Sequence, residues 1–134
     1  MIAYIIAGHG DFAESIMNSS FMIFGKQEEV QAINFQPNED PEELEAQYKK
    51  SVADFSSEDQ ILFLVDLYGG TPFNVATQIV AENAGRMTLI AGLNLPMLVE
   101  AYTVRDQSID TVVNHLEKTA KAGVRHLEIQ DGDK

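Results

Sequence analysis

The sequence predicts an α/β fold in which a mostly parallel sheet is covered by helices on both faces. Short, apolar, β-rich runs alternate with segments of helical periodicity along the whole chain. The first and third runs are almost unbroken in apolar residues, as expected of strands that are buried on both faces. A chain of 134 residues is long enough for a single domain with a hydrophobic core.

Five apolar runs are predicted to form the strands. Each has the length and the residue types of a strand; the runs are Ile2–Ala7, Val30–Phe35, Ile61–Leu67, Met87–Ala91 and Val124–Ile129. Right-handed crossovers and the common order of doubly wound sheets arrange them as 2-1-3-4-5. In that order strands 1 and 3 are neighbours, and the winding of the sheet reverses between them.

The first two predicted helices follow strong start signals. Asp11 and Glu14 have the spacing of a capping box, which predicts a helix that ends at about Phe24. The stretch "DPEE" at residues 40–43 supplies a cap, a proline in the first turn and early acidic residues. It predicts a second helix that ends at about Phe55.

Three further helices are predicted in the second half of the chain. Thr71 followed by proline has the same start pattern, and it predicts a helix to about Ala84. A short helical piece begins at Pro96. Ser108 is expected to cap a last helix that stops at Gly123. Residues 1–130 are therefore interpreted as one domain, and the last four residues, "DGDK", as a frayed tail covering 131–134.

The composition excludes several classes of function. Nine basic residues against 21 acidic ones give a formal net charge of -12, which disfavours binding to nucleic acid or to anionic lipid. The acidic excess fits a basic protein partner, although such an excess is more often simply a solubility feature. The chain has no cysteine, so disulfides and thiolate chemistry are excluded. The N-terminus lacks a basic stretch, and no apolar run is long enough to cross a bilayer. We expect a cytoplasmic protein without membrane insertion.

The stretch "IIAGHGDFAES" places His9 between two glycines at the end of the first predicted strand. Glycine has no Cβ atom, so another molecule can approach the imidazole closely. A tight turn that contains a histidine without any chemical role would show the same sequence pattern. Which interpretation holds depends on the groups that reach the same place.

Asp66, in "ILFLVDLYGGTPFN", is a carboxylate within a strongly apolar strand. An unpaired charge buried there would be costly, so the carboxylate needs a partner. Because strands 1 and 3 are predicted neighbours at a spacing of about 4.8 Å, Asp66 and His9 can meet. The alternative is that Asp66 only accepts N–H bonds from the glycine turn that follows it.

The stretch "YGGTPFN" supplies a third candidate element. Gly69 and Gly70 free the backbone to expose N–H groups, and Thr71 adds a hydroxyl group at the start of a helix. Together with the positive end of the helix dipole, these groups can bind an anion. Alternatively, Thr71 is only a helix cap and the glycines only turn the chain. Beside an imidazole–carboxylate pair, the anion site points to a phosphoryl group carried on nitrogen.

Other apparent motifs do not support a function. "GHGDFA" fits a weak dinucleotide-binding pattern, but strand 2 ends in Asn34, Phe35 and Gln36 without the acidic residue that binds ribose. Nicotinamide binding is therefore rejected, and no cofactor is expected. His115 lies beside the apolar stripe of the last helix and is predicted to be solvated, and His126 receives no role. The few possible ligands are scattered, so no metal site is predicted.

Three stretches in order, "IIAGHGDFA", "LFLVDLYGGTPFNVA" and "AGLNLPMLVEA", resemble the IIA domain of the mannose-type family of the bacterial sugar phosphotransferase system. The resemblance implies that His9 accepts a phosphoryl group from the phosphocarrier protein HPr and passes it to a IIB component. It also implies that Asp66 is hydrogen-bonded to His9. Thr71 occupies the position of a frequent serine whose hydroxyl group meets the phosphoryl group.

The resemblance further implies a fifth strand that is antiparallel and exchanged across a homodimer. Tyr68 stands where some members have tryptophan, at a rim that faces the partner. The IIB component is expected on a separate polypeptide. Two alternatives remain at this point: a phosphoryl-relay subunit of a dihydroxyacetone kinase, and a IIA-like regulatory module.

Overall fold

A computed structural model describes residues 1–130, so the predicted tail at 131–134 lies outside the described residues. Strands and helices alternate along most of this range. The strands are β1 (Ile2–His9), β2 (Val30–Phe35), β3 (Gln60–Val65) and β4 (Met87–Ala91). The helices are α1 (Phe12–Phe24), α2 (Pro41–Asp54), α3 (Thr71–Glu82), α4 (Leu95–Ala101) and α5 (Ile109–Ala122). No helix among the described residues combines the length and the apolar character needed to cross a bilayer.

The four strands form one parallel sheet in the order β2-β1-β3-β4. The predicted neighbours β1 and β3 are paired, with Ala7 opposite Val65. Because both strands lie in the middle of the sheet, their residues from Ile2 to Ala7 and from Ile61 to Val65 are buried on both faces. This confirms the α/β class and the parallel sheet.

Each face of the sheet has its own hydrophobic core. On one face, Tyr4 and Ile6 pack with residues of α1, α4 and α5. On the other face, Ile5 and Phe63 pack with residues of α2 and α3. The two crossovers that begin at β1 and β3 therefore lie on opposite faces, and the crevice between them opens at the carboxyl ends of these two strands.

Two of the predicted helix starts differ from the structure. The side chain of Asp11 makes no capping bond; Asn34, at the end of β2, accepts the N–H of Glu14 instead, at 3.1 Å. The N-cap of α3 is Gly70 and not Thr71, which is already the first helical residue. By contrast, Asp40 and Glu43 form the complete capping box at the start of α2.

The predicted fifth strand, Val124–Ile129, is wrong for the single chain. Residues 124–130 follow α5 without pairing to β4, and Val124, Leu127 and Ile129 are exposed. A strand exists only where its backbone groups bond to a neighbouring strand, and no described residue of this chain pairs with that segment. The described sheet consequently has four parallel strands and no antiparallel strand, with β4 at its edge.

Candidate functional site

The structure brings His9 and Asp66 together at the carboxyl edge of the sheet. His9 is the last residue of β1, and Asp66 follows the last residue of β3. The Oδ2 atom of Asp66 lies 2.9 Å from Nδ1 of His9 and also accepts the backbone N–H of His9 at 2.9 Å. One carboxylate oxygen thus holds both the ring and the backbone of the same histidine.

The two side chains differ strongly in exposure. The side chain of His9 is 47% exposed, whereas that of Asp66 is only 16% exposed. The second carboxylate oxygen of Asp66, Oδ1, is buried and has no hydrogen-bond partner among the described residues. Solvent therefore reaches the imidazole, while the carboxylate that orients it is largely excluded from water.

Gly70 lies directly against the imidazole. A Cβ atom built on Gly70 would stand 2.8 Å from Cε1 and 3.2 Å from Nε2 of His9. Glycine is therefore required here by lack of space. Gly69 is required for a different reason, because its φ of +90° is a conformation that other residues adopt only with strain. Of the predicted pair of glycines, Gly69 allows the turn and Gly70 allows the close approach of the backbone to the ring of His9.

The start of α3 presents backbone N–H groups next to this ring edge. The carbonyl groups of Gly69 and Gly70 accept bonds from Asn74, but among the described residues the N–H groups of Gly69, Gly70 and Thr71 donate to no acceptor. The hydroxyl group of Thr71 likewise has no protein partner among residues 1–130 and does not cap the helix. Such a helix start can receive an anion.

Phe35 is a neighbour of the imidazole that the sequence reasoning missed. Its ring meets that of His9 edge to face at a centroid distance of 6.4 Å, and its carbonyl group accepts the N–H of Gly10 at 2.8 Å. Gln36 next to it bonds to the side chain of Asp11 at 2.9 Å. The end of β2 therefore supports the turn that carries His9. An apolar residue at the end of a strand gives no sequence signal for this role.

An aromatic residue marks the rim of the crevice. Tyr68 is 79% exposed, and its ring packs on Phe73 with centroids 4.4 Å apart. Leu67 beside it is also exposed, and it lies outside β3 although the sequence placed it in that strand. Two exposed, large side chains beside the glycine turn are a natural contact surface for another protein.

The other two histidines lie elsewhere. Nε2 of His115 is 2.6 Å from a carboxylate oxygen of Glu100, so this partly exposed ring has a partner that the sequence did not predict. His126 is exposed and lies 3.3 Å from Glu128. Within residues 1–130, no three side chains of the ligand types are grouped so that they could hold a metal ion.

Comparison with known proteins gives a consistent set of relatives. The family model that matches is EIIA-man, described as the PTS system fructose IIA component, and the match covers residues 3–117. A PTS system fructose-specific EIIA component of Bacillus subtilis (strain 168) is 38% identical over 133 residues, which is 96% of this chain and 90% of the relative.

Two further relatives define the extent of the similarity. A PTS system mannose-specific EIIAB component of Escherichia coli (strain K12) is 38% identical over 99% of this chain, which spans only 42% of that relative. The crystal structure of a phosphotransferase system component EIIA from Streptococcus agalactiae superposes with a TM-score of 0.86 at 35% identity, covering 94% of this chain and 97% of the other.

Proposed function

The chain belongs to the mannose-type family of phosphotransferase-system IIA components, and from this membership we propose that it carries a phosphoryl group on Nε2 of His9. The group arrives from phospho-HPr and leaves to a IIB component of the sugar-uptake system. The main support is the bond from His9 to Asp66, with Gly70 packed against the opposite, Nε2 edge of the ring.

Asp66 determines which ring nitrogen reacts. A carboxylate can only accept hydrogen bonds, so Nδ1 of His9 carries a proton and donates a hydrogen bond to Oδ2. The neutral ring then has its lone pair on Nε2. The backbone N–H of His9 holds the same oxygen in place, so a flip of the ring would break the bond between Nδ1 and Oδ2.

The transfer step is a displacement at phosphorus. The Nε2 lone pair forms the new P–N bond, and the bond from phosphorus to the donor breaks, with the electron pair leaving on the donor atom. The proton on Nδ1 stays in place, so the phosphorylated ring becomes cationic. The carboxylate of Asp66 stabilises this cation, and the reverse sequence delivers the group to IIB.

The phosphoryl oxygens are expected to meet the backbone N–H groups of Gly69, Gly70 and Thr71 and the hydroxyl group of Thr71. The three sequence motifs contain no lysine or arginine, so amides and a helix end supply the positive potential. Repulsion from the overall charge of -12 is screened beyond about 10 Å. Modest binding suits a carrier, which must release what it accepts.

The test is labelling of the protein by radioactive phospho-HPr. We expect His9→Ala to abolish incorporation into an acid-labile bond, because no other imidazole among the described residues faces this helix start. His115→Ala is the matched control, since His115 is also a partly exposed histidine paired with a carboxylate. Incorporation that survives His9→Ala, or that disappears with His115→Ala, would show that the acceptor is wrongly assigned.

The homodimer belongs to the same proposal. Residues 124–130 are expected to pair as an antiparallel strand with the exposed edge of β4 in a second copy, which would cover the apolar side chains of Val124, Leu127 and Ile129. Residues 1–130 then act as one domain in the cytoplasm. Docking of the protein partners uses the rim around Tyr68.

A further inference from the structure

We propose that the hydroxyl group of Tyr48 is a positioning group for phosphoryl transfer, which holds the first turn of α3 against the imidazole of His9. This inference rests on the proposed function, since it assigns a role in the geometry of the same site. Tyr48 lies on α2, outside the three stretches that carry the family resemblance.

The geometry of the site depends on where α3 begins. Gly70, the cap of this helix, is in contact with the Cε1 and Nε2 edge of His9, with no room for even one further carbon atom. The N–H groups proposed to bind the phosphoryl oxygens belong to the same short stretch. A small shift of the first turn would therefore move the anion site relative to Nε2, and misplacement of reacting groups is costly in rate.

Tyr48 bonds directly to this first turn. Its side chain is fully buried, and its hydroxyl group donates to the carbonyl oxygen of Pro72 at 2.9 Å. Pro72 is the second residue of α3 and is itself buried. The aromatic ring of Tyr48 also packs edge to face on that of Phe63, with a centroid distance of 5.4 Å. Tyr48 thus joins α3 to β3, the strand that leads into Asp66.

The hydroxyl group keeps its proton at any ordinary pH. Burial raises the pKa of Tyr48 well above its usual value of 10.0, and the negative charge of Asp66 raises it further. The hydroxyl group of Tyr48 is therefore always the donor in its hydrogen bond to the carbonyl oxygen of Pro72. A phenylalanine would fill the same space in the core, so the hydroxyl group adds only this directional link.

A buried hydroxyl group bonded to a carbonyl oxygen could contribute stability alone, and Tyr4 supplies the control for that case. Tyr4 is equally buried and donates to the carbonyl oxygen of Ala101 at 2.6 Å. It lies in the core on the opposite face of the sheet, with α1, α4 and α5. Tyr48→Phe and Tyr4→Phe each remove one comparable bond, but only the first touches α3.

The experiment compares both variants with the unaltered protein in single-turnover phosphorylation by phospho-HPr. We expect Tyr48→Phe to lower the rate at saturating donor by roughly ten-fold, as misplacement of reacting groups does, without changing the donor concentration for half-saturation. Tyr4→Phe should leave both values unchanged although it loses similar thermal stability. Equal rates for the two variants, or a change in half-saturation alone, would overturn the proposal.

A second measurement separates this inference from the proposed function. The ring resonances of His9 in NMR spectra should shift in Tyr48→Phe and stay in place in Tyr4→Phe, whether or not phosphoryl transfer is observed. If His9 proves not to be the acceptor, labelling of His9→Ala reveals it independently. Unchanged His9 resonances in Tyr48→Phe would overturn the positioning role by itself.

Discussion

Oδ2 of Asp66 binds His9 twice, at 2.9 Å from the ring Nδ1 and at 2.9 Å from the backbone nitrogen. The ring orientation is thereby tied to the backbone at the end of β1. Since Asp66 itself donates its backbone N–H to the carbonyl oxygen of Ala7 at 3.1 Å, the pair continues the ladder between β1 and β3. The site is an extension of the sheet.

The first prediction concerns the charge of Asp66. Asp66→Asn keeps an oxygen that can accept both bonds but removes the negative charge that we propose stabilises the phosphorylated ring. We expect phosphoryl uptake to slow by about ten-fold or more, in line with the 1.5–3 kcal/mol typical of charge-assisted bonds. Asp66→Ala should be slower still, because it also releases the ring. Rapid-quench labelling from phospho-HPr measures both rates, and a rate for the asparagine variant equal to that of the unaltered protein would contradict the charge argument.

The second prediction concerns the contact between Gly70 and His9. In Gly70→Ala the new methyl group would stand 2.8 Å from Cε1, so the ring must move and its bond to Asp66 must stretch. We expect uptake to fall by roughly ten-fold, with little change in the melting temperature.

The control for this contact is Gly85→Ala. Gly85 has a φ of +93° and open space around its would-be Cβ atom, and it lies in the turn before β4. This variant should lose stability by about 1–2 kcal/mol through backbone strain and keep its uptake rate. Comparable uptake in both variants would mean that the contact at Gly70 is unimportant.

The third prediction concerns stability at alkaline pH. Burial raises the pKa of Tyr4 and of Tyr48 above the usual value of 10.0. Below about pH 10 both states hold these protons and stability is fully present. Above it the unfolded chain ionises first, so stability falls by up to about 1.4 kcal/mol per pH unit for each tyrosine.

Chemical denaturation between about pH 9 and pH 11 measures this loss. The slope of stability against pH should be smaller in Tyr4→Phe and in Tyr48→Phe than in the unaltered protein. Identical slopes in all three proteins would show that these hydroxyl groups do not cause the loss of stability at alkaline pH.

The fourth prediction concerns residues 124–130. A chain shortened to end at Gly123 should be a folded monomer, because the removed segment lies outside both hydrophobic cores. The full chain should have the mass of a dimer in light scattering. Leu127→Asp in the full chain should also weaken the dimer, since Leu127 is one of the exposed apolar residues. A full chain that remains monomeric at high concentration would contradict the strand exchange.

The sequence predicts the sheet and the meeting of His9 with Asp66 because both depend on local patterns and on strand order. Apolar runs identify β1 and β3, and the order of doubly wound folds makes them neighbours. What it misses depends on contacts between distant segments. The cap that Asn34 provides for α1 and the contact of the Phe35 ring with His9 do not follow from residue spacing. In each case the end of β2 meets a segment that is distant in the sequence.

The fifth strand fails for a related reason. The apolar alternation of residues 124–130 describes what the segment can do when a partner strand is available, but periodicity does not say which chain supplies that partner. Tyr48 illustrates the opposite limit: in the sequence it looks like an ordinary core residue of α2, and its bond to Pro72 at the start of α3 is visible only in the structure.

The location of His9 and Asp66 at the ends of two central, fully buried strands has a consequence for heat inactivation. β1 and β3 cannot separate unless the whole domain unfolds, so their amide hydrogens should be among the slowest to exchange. Carrier activity should then vanish in the same single transition as the secondary structure, without an earlier, local loss at the histidine.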